Sequence, residues 1–141
     1  YVDTATGEKV NIRIVDLLTH SSGLPPYVNP SVIINKYGNS DPASLMDWIA
    51  NCKRDFRPTT DFQYSCLNFI TLQNILQNIT GEKLCDFAQK NLFDRLGMEH
   101  TTYSPKAQNK TEIMKFVCPT EKQPDGSVLF GVHTAGFSRV C

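Results

Sequence analysis

The sequence predicts a mainly α-helical fold with long loops and one or two short strands. Apolar residues recur at helical spacing in four separate segments, and polar stretches rich in proline, glycine, asparagine and serine lie between them. Only one segment has the pattern of a strand: the turn signal Q-P-D-G at 123–126 precedes an apolar run at 127–132. These observations favour helices connected by loops over a sheet protein.

The chain begins with a predicted turn and a short helix. T-G-E at 6–8 is a turn signal, so residues 1–11 are expected to form a loop or a short hairpin. The helix covers 12–19, where three apolar side chains share one face: Ile12, Val15 and Leu18. Gly23 and the prolines that follow Leu24 cannot continue it, so a loop comes next.

A second helix is predicted after a long loop. Residues 24–40 have loop composition, and only V-I-I at 32–34 is apolar. Asp41 supplies a carboxylate for the N-cap and Pro42 fits the first helical position, so the helix starts there and ends near Arg54. Its inward residues are expected to be Leu45, Trp48, Ile49 and Cys52.

Two further helices are predicted, and each is stopped by a glycine. The first covers 65–80 and ends at Gly81, and the second covers 83–96 and ends at Gly97. The inward face of the first is expected to comprise Phe69, Leu72, Ile75, Leu76 and Ile79. That of the second is expected to comprise Leu84, Phe87, Ala88, Phe93 and Leu96.

Charge and length exclude some classes of function. Lys plus Arg equals Asp plus Glu at 14 each, so there is no electrostatic case for binding nucleic acid or an anionic membrane. No apolar run approaches the roughly 18 residues that would span a bilayer. The first residues lack the apolar segment of a signal peptide, so any targeting information is expected to lie upstream.

Cysteine and histidine usage indicates neither a disulfide framework nor a metal site. The five cysteines are an odd number and contain no C-x-x-C pair, and most of them are expected to be small core residues. The three histidines, His20, His100 and His133, are scattered, whereas a zinc site needs clustered ligands. The sequence indicates no metal and no cofactor.

Several segments, taken in order, carry a resemblance to a known family. Two segments resemble motifs of the serine β-lactamase family: I-V-D-L-L-T-H-S-S-G-L-P at 14–25 and F-Q-Y-S-C-L-N-F-I at 62–70. That family includes class C β-lactamases, penicillin-binding D-alanyl-D-alanine carboxypeptidases and related esterases. Shorter similarities follow at T-G (80–81), L-F-D-R-L-G-M (92–98), T-T-Y (101–103) and C-P-T-E (118–121).

The resemblance implies a serine acyl-transfer enzyme and a role for Tyr64. In the family, the serine of an S-x-x-K motif attacks a carbonyl and forms an acyl-enzyme. Tyr64 matches the tyrosine of the Y-x-N motif, which moves protons to and from that serine and the leaving group. Because a phenol titrates near 10 in water, it needs nearby ammonium groups to act as a base near neutral pH.

The sequence departs from the family pattern in three places. No serine has lysine three positions on, and no K-T-G is present; H-T-A-G at 133–136 resembles the third motif but follows Tyr64 too closely. Cys66 stands where the family has the substrate-binding Asn or Asp of Y-x-N, and a thiol cannot reproduce the hydrogen bonds of an amide. Ser21 and Ser22 lack the context of a nucleophile, so they are not expected to attack substrate.

We therefore expect residues 1–141 to form a single helical subdomain of a β-lactamase/transpeptidase-like α+β domain. The S-x-x-K helix would lie upstream and the third-motif strand downstream. The substrate would be a small molecule or a peptidoglycan-like peptide, and a periplasmic or extracellular site follows from the resemblance alone. The alternative is a non-catalytic binding or scaffold module, which Cys66 favours. An isolated subdomain would expose an apolar face and is expected to self-associate.

Overall fold

The computed structural model describes residues 1–3, 6–103, 112, 115 and 117–130. They belong to two compact units, residues 1–79 and residues 80–141. The described part is mainly helical, which confirms the predicted fold class, and its strands are short. The prediction that the whole chain forms one subdomain stays a prediction.

A turn and a short helix open the first unit, as predicted. Val2 pairs with Lys9 in an isolated antiparallel bridge. Helix α1 covers Ile14–Leu18, slightly less than the predicted 12–19. Its first turn is closed by Asp16, whose carboxylate accepts hydrogen bonds from the backbone N–H of Arg13 (2.8 Å) and from the Arg13 guanidinium (2.8 and 3.1 Å).

The prediction of a loop over residues 24–40 was wrong, because helix α2 covers Pro30–Tyr37. Asn29 is its N-cap and accepts a hydrogen bond from the backbone N–H of Ser31, while Pro30 takes the first helical position. Gly38 ends the helix in the left-handed conformation, at φ 80°. The start and stop signals were therefore present in the sequence, but the polar composition of the segment outweighed them.

Helix α3 covers Pro42–Asn51 and packs against α2. Asp41 caps it as predicted, accepting a hydrogen bond from the backbone N–H of Ser44 at 2.8 Å. Leu45 and Ile49 are buried, together with Ile33 of α2. The helix ends three residues before the predicted Arg54, whose guanidinium instead donates to the carbonyl oxygen of Ile49 at 3.0 Å. A cation at this end satisfies carbonyl groups that the helix leaves unpaired.

Helix α4 covers Cys66–Thr80, and Gly81 follows it in the left-handed conformation, as predicted. The predicted inward face was partly wrong. Phe69 and Ile79 are 52% and 79% exposed, whereas Leu67 and Asn68 in the first turn are buried. The reason is that the loop after α1 packs on the start of the helix, and helical periodicity alone does not specify such a partner.

The second unit contains a helix whose register changes along its length. Helix α5 covers Leu84–Ala88 and continues as a π-helix over Gln89–Phe93, so the helix ends three residues before the predicted end at 96. Ala88 and Phe93 are buried, but Leu96 is 66% exposed, so its predicted inward position was wrong. The wider π turn rotates the following residues off the face that an α-helix would give them.

A two-stranded antiparallel sheet completes the described part of the second unit. Strand β1 covers Pro119–Lys122 and strand β2 covers Val128–Phe130, within the predicted strand at 127–132. The predicted turn at 123–126 connects them, and Gly126 in it has φ 84°. Among the described residues, no helix is both long and apolar enough to cross a membrane.

Candidate functional site

The loop after α1 is joined to the segment before α4 by backbone hydrogen bonds. The N–H of Gln63 donates to the carbonyl oxygen of His20 at 3.0 Å, and the N–H of Cys66 donates to that of Pro26 at 2.9 Å. These bonds bring together the two segments that carry the family resemblance, residues 14–25 and 62–70. We refer to the loop at residues 19–26 as the T-H-S-S-G loop.

Gly23 allows this loop to pass close to its neighbours. It has φ 76°, and a Cβ atom at this position would overlap the backbone carbonyl oxygen of Phe56. The carbonyl oxygen of Gly23 accepts a hydrogen bond from the N–H of Asp55 at 2.8 Å. Glycine is needed here for two reasons, the left-handed conformation and the close contact.

A buried polar network fixes the T-H-S-S-G loop on the first turn of α4. The hydroxyl of Ser22 lies 2.5 Å from the Oδ1 atom of Asn68, and the Nδ2 atom of Asn68 lies 3.0 Å from Nδ1 of His20. Ser22 and Asn68 are both fully buried. Since buried polar groups are costly unless they are hydrogen-bonded, this network specifies one arrangement of the two segments.

Ser65 caps α4 and completes the junction. Its Oγ atom accepts a hydrogen bond from the N–H of Leu67 at 3.2 Å and donates to the carbonyl oxygen of Pro25 at 2.5 Å. Its own N–H donates to Nδ1 of His20 at 3.2 Å. The side chain of Ser65 is fully buried. Hydrogen bonds to both its backbone and its side chain therefore fix the residue that follows Tyr64.

The side chain of Tyr64 projects from this junction into solvent. It is 63% exposed, and its ring lies against the ring of His20, with centroids 4.7 Å apart and planes at 42°. The ring of His20 also contacts Phe69 at 5.4 Å and Phe62 at 6.1 Å. Tyr64 therefore has a fixed backbone and a supported ring at an open surface.

Cys66 is the first residue of α4 and has an exposed, free thiol. Both sequence-predicted site residues, Tyr64 and Cys66, thus lie at the surface of the same junction. The expectation that most cysteines are core residues was wrong for the described ones. Cys85 is buried, Cys52 is half-buried, and Cys66 and Cys118 are exposed. Cys141 and the H-T-A-G segment at 133–136 lie outside the described residues.

Sequence reasoning missed the importance of Asn68, Ser22 and Ser65, and it assigned no site role to His20. The sequence did show that both family segments, residues 14–25 and 62–70, are present in one chain. Helical periodicity could not show that these two segments pack against each other. Among the residues that the structure describes, no group of three or more His, Cys, Asp or Glu side chains could hold a metal ion.

Comparison with known proteins identifies the family of the chain. The family model described as Beta-lactamase matches residues 1–113, which include the T-H-S-S-G loop and the junction around Tyr64. The chain belongs to the Beta-lactamase family.

Individual relatives agree with this assignment. The chain is 30% identical over 106 residues to a protein of Escherichia coli K12 named "Putative D-alanyl-D-alanine carboxypeptidase", covering 73% of this chain and 24% of the relative. It is 28% identical over 99 residues to an N-acetylmuramyl-L-alanine amidase of Bacillus subtilis, covering 69% of this chain and 22% of the relative. The chain thus spans less than a quarter of the length of these relatives. No solved structure is significantly similar to it.

Proposed function

We propose that the chain is the helical part of a serine hydrolase that forms an acyl-enzyme with a β-lactam, a D-alanyl peptide or an ester. The observation that carries this proposal is the position of Tyr64. Its backbone is fixed on both sides and its ring is supported, yet 63% of the residue is open to solvent. A proton-transfer group needs this combination of a defined position and access to substrate.

In this proposal Tyr64 moves protons between the nucleophile, the substrate and the leaving group. The nucleophile is the serine of an S-x-x-K motif outside these 141 residues, since no serine here has lysine three positions on. The chain alone is therefore inactive, because without a nucleophile covalent catalysis is lost. The relatives named carboxypeptidase and amidase support a peptide-like substrate of the kind found in peptidoglycan.

A second candidate is a non-catalytic binding module, and the exposed thiol of Cys66 favours it. In the Y-x-N pattern this position holds an amide that hydrogen-bonds to substrate. A thiol is only a weak donor and acceptor. A protein with this change could bind a related ligand without turning it over.

Covalent labelling of the whole protein separates the two candidates. The folded protein is incubated with a fluorescent penicillin and, separately, with a fluorophosphonate, and the adducts are located by mass spectrometry. The hydrolase predicts one adduct, on the serine of an S-x-x-K motif, that forms with at least one probe. Absence of an adduct with both probes would reject the hydrolase and favour the binding module. The 141-residue chain is the control and should remain unlabelled at serine.

A further inference from the structure

His20 contacts three successive residues around the proposed catalytic tyrosine. Its carbonyl oxygen accepts from the N–H of Gln63 at 3.0 Å, and its Nδ1 atom lies 3.2 Å from the backbone nitrogen of Ser65. Its ring lies 4.7 Å from the ring of Tyr64, centroid to centroid. The residues before and after Tyr64 and the tyrosine ring are thus all in contact with one histidine.

The backbone of His20 has an uncommon conformation that this arrangement uses. Its φ is 57°, in the left-handed region that residues other than glycine seldom adopt. This turns the chain sharply after α1, and both the carbonyl group and the ring of His20 contact residues 63–65. Uncommon backbone conformations persist where the surrounding structure determines them, and they cluster at functional sites.

The hydrogen bonds around His20 also determine the position of its proton. The backbone N–H of Ser65 can only donate, and it donates to Nδ1 of His20 at 3.2 Å, so this ring nitrogen is an acceptor. The amide group of Asn68 therefore turns its Nδ2 donor towards Nδ1 of His20.

The Oδ1 atom of Asn68 accepts from the hydroxyl of Ser22, and Oγ of Ser22 also accepts from the N–H of Leu24 at 3.2 Å. A ring nitrogen that accepts a hydrogen bond uses its lone pair for it and carries no proton. The neutral ring of His20 consequently has its proton on Nε2.

We propose that His20, in the tautomer protonated on Nε2, is a positioning residue for Tyr64. Its hydrogen bond to Ser65 sets the backbone at the start of α4, and its ring sets the orientation of the phenol. The catalytic part of this inference rests on the proposed function, because it assumes that Tyr64 transfers protons. The geometric part does not depend on it.

The first test measures the tautomer of the His20 ring in the folded whole protein. Histidine is labelled with ¹⁵N, and long-range ¹H–¹⁵N spectra are recorded at about pH 8.5, above the ordinary titration range of histidine. We expect the His20 ring to show a protonated Nε2 and an unprotonated Nδ1. A proton on Nδ1, or a mixture of tautomers, would overturn the proposal. His20→Asn removes the His20 resonances and so assigns them, and His100→Asn is the control that leaves them unchanged.

Two variants then separate the two contacts of the ring. His20→Asn keeps an acceptor near the position of Nδ1, tolerates the left-handed conformation and removes the ring. His20→Phe keeps a ring and removes the acceptor. We expect His20→Asn to retain the hydrogen-bonded amide shift of Ser65 and lose the ring-current shift at Tyr64, and His20→Phe to do the opposite. If both the amide shift of Ser65 and the ring-current shift at Tyr64 are unchanged in both variants, the proposal is contradicted. If His20→Phe does not fold, the spectra of His20→Asn and the measured tautomer of His20 still test the proposal.

Kinetics of the whole protein distinguish positioning from simple stabilisation. With a chromogenic cephalosporin or a p-nitrophenyl ester, we expect kcat to fall roughly 10- to 100-fold in each folded variant, with KM changed less than about twofold. A merely structural role would lower stability without changing kcat of the folded enzyme. Tyr64→Phe is measured in parallel. If that variant is fully active, the proposed function fails, while the spectra still test whether His20 fixes Tyr64.

Discussion

The hydroxyl of Ser22 donates a 2.5 Å hydrogen bond to the side-chain oxygen of Asn68, 46 positions later in the chain, and both side chains are fully buried. The Nδ2 atom of the same amide lies 3.0 Å from Nδ1 of His20, so this bond holds Asn68 against the ring of His20. A buried hydroxyl that looks unimportant in the sequence therefore supports the residue on which Tyr64 rests.

Ser22→Ala is expected to lower the free energy of unfolding by about 1–3 kcal/mol, because it leaves the Asn68 oxygen and the Leu24 N–H without their partner. Urea unfolding of the whole protein measures the change. The matched control is Ser40→Ala, an exposed serine, which should cost no more than about 0.5 kcal/mol. Equal effects at the two serines would contradict the network.

Gly23→Ala is expected to destabilise the chain by about 3–5 kcal/mol, since the new Cβ overlaps the carbonyl oxygen of Phe56 and the residue keeps a positive φ. Gly38→Ala is the control. Its φ of 80° is similar, but nothing lies within 4 Å of a Cβ there, so only the conformational cost of about 1–2 kcal/mol remains. Thermal unfolding should rank the variants in this order, and the reverse order would reject the close contact.

Asp16 is expected to make stability depend on pH below about 4. Hydrogen bonds from the Arg13 guanidinium lower the pKa of Asp16 below its usual value. The unfolded chain therefore takes up this proton at higher pH than the folded chain. Its stabilising contribution is complete above the usual pKa and is lost as pH falls through the lowered one.

Urea unfolding of the wild type and Asp16→Asn at a series of pH values from about 7 to 2 tests this linkage. The difference between them should be largest near neutral pH and shrink as the solution is acidified. Glu99→Gln, at an exposed position, is the control. If the difference in the free energy of unfolding is the same at every pH, Asp16 is not the source of the pH dependence.

The thiols are expected to react at different rates. Burial raises the pKa of Cys52, which reduces the fraction of reactive thiolate, whereas Cys66 is exposed. At about pH 8, iodoacetamide should label Cys66 at least roughly tenfold faster than Cys52, as followed by peptide mass spectrometry. Buried Cys85 should also react slowly, and faster labelling of Cys52 than of Cys66 would refute the assigned exposures.

Tyr64→Phe should lower kcat/KM of the whole protein by roughly 10²- to 10⁴-fold, the usual contribution of a proton-transfer group. The ring and its contact with His20 are kept, so the loss would report on the hydroxyl. Tyr27→Phe, at another exposed tyrosine, is the control and should leave the rate unchanged. An unchanged rate in Tyr64→Phe would exclude proton transfer by the phenol.

Elements with strong local signals could be predicted from the sequence. Asp41 and Pro42 define the start of α3, and Gly81 marks the stop of α4, because capping and φ preferences act within a few residues. Helix α2 was missed although Asn29, Pro30 and Gly38 mark its ends, and the π-helix before Leu96 has no simple sequence signal. Phe69 was placed in the core because periodicity shows which residues share a face but not which face is covered.

The sequence by itself determined the Beta-lactamase family and indicated Tyr64 and Cys66 as candidate site residues, because short motifs in a fixed order are readable without coordinates. Only the tertiary structure decided that the T-H-S-S-G loop packs on the start of α4 and that His20, Ser22 and Asn68 form one buried network there. The physical reason is that these bonds join residues more than 40 positions apart. Such pairings depend on how the chain folds back on itself, which local propensity does not encode.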